Sequence, residues 1–154
     1  MTQTAIPFHL FRGGTSRGPY FNRADLPEDQ DTLAQVLIAA LGSGQKLNID
    51  GIGGGAAVTT KVAMLSRSDM PEVDIDYFFA QVSVEEKLVD FKPTCGNILS
   101  GVGPAAIEMG LAQAEAQQST VHALGQHFFQ CFAAHRGSCI VVWAFPDFIR
   151  ATNS

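Results

Sequence analysis

Residues 92–104, Lys-Pro-Thr-Cys-Gly-Asn-Ile-Leu-Ser-Gly-Val-Gly-Pro, restrict the fold of this chain more than any other stretch. A strand-like alternation ends at Phe91, and a helical pattern built largely from small residues follows over 97–111. Small side chains let a helix approach its neighbours closely, so this helix is expected at the centre of the domain with sheet around it. Cys95 then lies just ahead of the helix N-terminus. Unpaired backbone N–H groups and the positive end of the helix dipole favour a thiolate there. The same N–H groups can hold a carboxylate. Taken alone, Cys-Gly-Asn is more simply a buried cysteine beside a helix cap, because free cysteine is among the most buried residue types.

The segments before it supply the sheet. Residues 6–12 read as a strand, with Pro7 tolerable near its start. A polar, glycine-rich loop follows over 12–19, and Tyr20-Phe21 begin a second strand. Apolar residues at 33, 36, 37, 40 and 41 predict an amphipathic helix over 32–41, ended by Gly42 and Gly44. Residues 48–55, Asn-Ile-Asp-Gly-Ile-Gly-Gly-Gly, require a loop with unusual backbone angles. Residues 58–65 are β-branched and apolar, a buried strand. Residues 75–84 and 88–91 alternate and meet at Glu85-Glu86-Lys87, which predicts a hairpin.

The 154 residues suit one domain, and with 46% hydrophobic and 16% charged residues they can build a core. The net charge of −5, without a lysine or arginine cluster, speaks against a nucleic-acid partner. Cys95, Cys131 and Cys139 are an odd set without framework spacing, so free thiols in a reducing compartment are expected. No paired Cys-x-x-Cys or His-x-x-x-His spacing suggests a metal site. The N-terminus lacks the pattern of a signal peptide, and no apolar run reaches the ~18 residues of a membrane span. The expected setting is cytoplasmic, with no membrane partner.

From Gln117 the composition changes. Only Arg136, Asp147 and Arg150 carry charge there, and aromatics gather between Phe128 and Phe148. Clear periodicity is lost, although residues 139–145 read as a strand without a polar face. The segment is too short for an ordinary domain. Residues 1–112 are therefore expected to form one domain. Residues 113–154 are expected to be an atypical apolar tail, truncated or frame-shifted, that packs without clear relation to it.

Three loops carry the candidate chemistry. Gly51-Ile-Gly-Gly-Gly-Ala56 matches the G-x-G-x-x-A dinucleotide fingerprint, but a β-branched strand and not a helix follows it, so nicotinamide binding is rejected. Its backbone N–H groups are instead expected to form an anion-binding nest. Lys61 enters the apolar run behind it, where partial burial favours the neutral amine that a base needs. Arg12-Gly-Gly-Thr-Ser-Arg17-Gly offers guanidinium groups and hydroxyls suited to carboxylates, although alone it is more simply a solvated turn.

Taken together and in order, these segments resemble the PrpF family, whose members include 2-methylaconitate cis-trans isomerase and 4-oxalomesaconate tautomerase. The segments are residues 11–18, residues 50–55 with Thr60-Lys61-Val62, and residues 93–104. Ile75-Asp-Tyr-Phe-Phe-Ala-Gln-Val also resembles the family's strand, and the likeness covers about residues 5–112. The family is similar in fold to diaminopimelate epimerase: two α+β domains, each a curved sheet around a central helix, with the active site between them. The resemblance implies the α+β class here, with 97–111 as the central helix, no cofactor and a small polycarboxylate substrate. It implies proton transfer by Lys61 and Cys95, and carboxylate binding by Ser16, Arg17, Gly96 and Asn97. Family members are more than twice this length, so the second domain is expected to be missing. The oligomeric state stays open, a homo-oligomer included. The activity so implied is an allylic proton transfer that moves a C=C bond, most like the oxalomesaconate reaction. The alternatives are the methylaconitate reaction and a non-catalytic, truncated remnant.

Overall fold

In the computed structural model, residues 4–115, 118–125, 129–135 and 138–144 are described in backbone, and residues 4–115 and 119–125 also in side chain. The described strands form one curled, mixed sheet. β1 (His9–Gly13) pairs antiparallel with β2 (Ser16–Asn22), which runs parallel to β3 (Lys61–Arg67). β3 pairs antiparallel with β4 (Ile75–Val82), and the short β5 (Val89–Asp90) adds to β4 as the hairpin that the sequence predicts. β6 (Gln118–Gly125) runs parallel to β4 and continues antiparallel into β7 (Phe129–His135) and β8 (Ser138–Ala144).

The period of two along the central strands builds a core on each face. Val62 and Met64 of β3, with Ala80 and Val82 of β4, face α1 (Gln30–Leu41) and its buried Leu33, Leu37 and Leu41. Ala63 and Leu65, with Tyr77 and Phe79, face α2 (Gly96–Leu99) and α3 (Val102–Glu108). Asp29 caps α1 by accepting the Thr32 N–H at 2.8 Å, and Gly42 ends it in the left-handed conformation.

The α+β class and the curved sheet around a helical element stand as expected. The single helix expected over 97–111 is two short helices. Pro104 has no N–H to donate to the Ser100 carbonyl, and Gly101 instead bonds to Ile98 in a tighter turn. The second helix stops at Glu108 because Gly110 turns left-handed at φ +69°. Its N–H bonds to Ile107 and that of Leu111 bonds to Ala106, which satisfies the last carbonyls.

The sheet does not stop near residue 112. Val121 and Ala123 of β6 are buried in the core beneath α3, so at least this part of the expected tail is part of the sheet. The run of aromatic side chains from Phe128 to Phe148 lies outside the residues described in side chain. No helix among the described residues is long and apolar enough to cross a membrane.

Candidate functional site

The turn between β1 and β2 rests on the start of α2. A methyl group on Gly13 would collide with the Asn97 carbonyl and the Ser100 hydroxyl, so only glycine allows this approach. Gly14, at φ +51°, lies against the Asn97 side chain. Asn97 Nδ2 donates to Thr15 Oγ1 at 2.9 Å, and Ser100 Oγ donates to the Asn97 carbonyl at 2.7 Å. The 12–18 loop thus meets the Gly96-Asn97 turn, and Thr15 carries the contact.

Cys95 occupies the cap position of α2 in an extended conformation, φ −140° and ψ 107°, and its carbonyl accepts the Leu99 N–H. Its side chain is half-buried and packs against the core that holds Tyr20, Tyr77 and Phe79. Lys61 opens β3 on that same face, one strand period before Ala63 and Leu65. Its ammonium sits 5.4 Å from the centre of the Phe79 ring and donates to Gln81 Oε1 at 2.7 Å. Lys61 and Cys95 thus face the same core, Lys61 at Phe79 and Gln81 and Cys95 at the start of α2.

Ser16 stands on the same side of β2 as Gly18 and Tyr20, and it is buried with no hydrogen-bond partner for its hydroxyl. Gly18 lies on the Lys61 backbone so closely that an added Cβ would strike the Lys61 carbonyl. Alternation sends the next side chain, Arg17, out by the opposite face of β2. Arg17 is exposed and lies beside Gly54, where an added Cβ would come within 2.7 Å of Nη2. Ser16 and Lys61 stand on the face of β2 and β3 that carries the Tyr20–Phe79 core, Cys95 packs against that core just ahead of Gly96-Asn97, and Arg17 leaves by the opposite face.

The glycine-rich loop has another use than the expected nest. Ile52 and Gly53 donate their N–H groups to the Ala40 and Leu41 carbonyls, closing the C-terminus of α1. Gly55 donates to Asn48 Oδ1, while Asn48 Nδ2 donates to the carbonyls of Gly42, Gln45 and Val84. These donors are taken by the protein itself, so they cannot hold an anion.

Two residues of the region were not singled out from the sequence. Tyr77 buries a hydroxyl without a partner, and its acidity is suppressed by that burial first, then by the nearby Tyr20 and Cys95. Gln81 takes the Lys61 amine. Both lie on β4, whose alternation puts 77, 79 and 81 on one face. A polar glutamine at an inward position was the available signal. Among the described residues, no group of three or more histidine, cysteine or acidic side chains could hold a metal ion.

Comparisons with known proteins bear on the family. The family described as PrpF protein matches residues 3–130. This chain belongs to the PrpF family. The match runs past residue 112, in keeping with the place of β6 in the sheet. The PrpF chain is 49% identical over 121 residues to a 4-oxalomesaconate tautomerase of Pseudomonas putida, across 79% of this chain and 34% of that one. It is 41% identical over 112 residues to a 3-methylitaconate isomerase of Eubacterium barkeri, across 73% and 30%. A crystal structure of methylitaconate-delta-isomerase superposes with a TM-score of 0.80 at 35% identity, covering 84% of this chain and 59% of that one. The chain spans about a third of the length of the curated relatives it matches.

Proposed function

We propose that this PrpF chain forms one wall of a cofactor-independent isomerase site that moves a C=C bond in an unsaturated polycarboxylate by allylic proton transfer. What supports the reading most is that Lys61 and Cys95 face the same core, with Cys95 next to the Gly96-Asn97 turn that Thr15 contacts. The names of the relatives at 40–56% identity point the same way. The reaction removes a proton from one carbon and delivers one two carbons away. The dienolate between those steps carries its charge on a carboxylate or keto oxygen. Lys61 and Cys95 exchange the protons, one as base and the other as acid. The Ser16 hydroxyl and the Gly96-Asn97 turn hold carboxylate oxygens, where hydrogen-bond donors fixed in advance stabilise the growing charge. Arg17 adds positive potential at the rim and does not clamp the carboxylate that Asn97 holds. A 4-oxalomesaconate-like substrate is preferred to 2-methylaconitate, supported by the 49% identity to the Pseudomonas tautomerase against 40% to the 2-methyl-aconitate isomerase of Cupriavidus necator.

The test is a chimaera in which residues 4–125 replace the matching segment of the Pseudomonas tautomerase, assayed by ultraviolet absorbance with both acids. Turnover of 4-oxalomesaconate within tenfold of the parent is expected. Lys61→Ala and Cys95→Ala should each lower it at least about a hundredfold without changing the melting temperature. A folded chimaera that converts neither acid, or that tolerates both alanines, sinks the reading.

A further inference from the structure

We propose that Gln81 is a positioning residue, which holds the Lys61 amine through a neutral acceptor whose direction the backbone has fixed. The inference rests on the reading of Lys61 as a proton-transfer group and adds the device that orients it. A glutamine amide can present either its oxygen or its NH2 group to a neighbour. Here the choice is made by what surrounds the nitrogen. Gln81 Nε2 lies 3.1 Å from the Ala57 carbonyl, 3.3 Å from the Thr60 carbonyl, 3.2 Å from Thr60 Oγ1 and 3.2 Å from the Val82 carbonyl. All of these accept, and three of them are carbonyls, which can only accept. The NH2 group must face them, so Oε1 must face Lys61, and it lies 2.7 Å from Nζ. Thr60 Oγ1 itself donates to the Val82 carbonyl at 2.7 Å, so its remaining capacity toward Gln81 is that of an acceptor.

The frame that fixes the amide is buried and hydrogen-bonded. Thr60 is fully buried, the Val82 N–H donates to the Thr60 carbonyl, and Lys61 stands opposite Gln81 in the β3–β4 register. The Phe79 ring supports the ammonium from a second side, and Gly18 presses on the lysine backbone from β2. Among the described residues no carboxylate pairs with Lys61. Asp90 stands opposite Gln81 on β5, and Glu85 and Glu86 line the same pocket as Gln81, whereas Arg17 leaves by the other face of β2. This matters for a group that must both give and take a proton. A carboxylate at 2.7 Å would hold the lysine as an ammonium ion. A hydrophobic neighbour would leave the amine without direction. A neutral oxygen fixes the nitrogen and accepts one N–H from either protonation state, so the proton toward the substrate can come and go.

The experiment reads the amine directly and uses no substrate. The 154-residue chain is labelled briefly with acetic anhydride at pH 8, and acetylation of Lys46, Lys61, Lys87 and Lys92 is followed by peptide mass spectrometry. In Gln81→Glu, labelling of Lys61 should slow about tenfold, the lower end of the effect of an opposite charge within ~4–6 Å. The other three lysines should keep their rates. In Gln81→Met, which keeps length without an acceptor, Lys61 should label about threefold faster or more, since one hydrogen bond to the ammonium is lost. If Gln81→Glu does not fold, Gln81→Met decides alone. A folded variant in which Lys61 keeps its wild-type rate overturns the proposal. So does a change shared equally by all four lysines, which would report general loosening. Turnover is read separately in the chimaera, so failure of the isomerase reading and failure of the positioning role are different results.

Discussion

At the scale of single residues, the region around Lys61 and Cys95 departs from ordinary burial rules in two places. Ser16 and Tyr77 each bury a hydroxyl without a partner. An orphaned buried hydroxyl costs about 1–3 kcal/mol, so neither is there for stability. Tyr77→Phe should therefore raise stability by about 1 kcal/mol in urea unfolding at neutral pH. The same substitution should change the alkaline limb. Burial raises the Tyr77 pKa above its ordinary value near 10, so the folded chain keeps a proton that the unfolded chain releases. The contribution is fully present below pH ~10 and is lost as pH rises beyond it. Stability of the wild-type chain should fall faster above pH ~10 than that of Tyr77→Phe. Parallel curves would show that the hydroxyl is solvated.

At the scale of elements, α1 depends on its two ends more than on its length. Asp29 Oδ2 accepts both the Thr32 N–H and the Thr32 hydroxyl, at 2.8 and 2.7 Å, and this holds its carboxyl below the usual range. A depressed carboxyl stabilises the fold above its unfolded value of about 3.9, and the contribution fades as pH falls through the folded value. Asp29→Ala should lower the melting temperature at pH 7. Asp29→Asn, which keeps a capping oxygen without the titration, should lose less at pH 7 and should flatten the acid limb below pH ~4. Equal acid limbs for wild type and Asp29→Asn in calorimetry would remove the cap from the account. At the other end the glycine-rich loop closes the helix through Ile52 and Gly53. That explains why glycines are packed there without any anion to hold.

At the scale of the molecule, the described strands join in one curled sheet in which β6 belongs with β4. Val121 is 1% exposed and shares a core with Ile75, Tyr77 and Ala105. Placing a carboxylate there strands an unpaired charge in an apolar site. Val121→Asp should cost about 3 kcal/mol or more, with the loss seen by every probe of the domain at once. A variant that melts like wild type would show that the chain beyond residue 112 is dispensable to the frame. The frame is also what gives the proposed chemistry its geometry. The parallel pairing of β2 with β3 sets Gly18 on Lys61, and the β1–β2 turn delivers Thr15 to Asn97.

Elements whose signals are local were legible in the amino-acid order alone. The amphipathic spacing of Leu33, Leu37 and Leu41, the Glu85–Lys87 turn and the cysteine ahead of a small-residue helix each rest on contacts within a few residues. They could be read without the fold, and together with the ordered glycine motifs they were enough to indicate the family. The rest depended on contacts between distant segments. The tertiary structure broke the helix at Ser100-Gly101, because Pro104 removed a bond that periodicity does not register. It placed β6 beside β4, a pairing across more than 40 residues that a low-charge composition had hidden. It turned Arg17 away from Asn97, because neighbouring side chains on a strand point to opposite faces. It aimed Gln81 at Lys61, because the orientation of an amide is set by acceptors that come from three separate backbone positions. Local free energies are written along the chain, whereas register and side-chain direction arise only when distant segments meet.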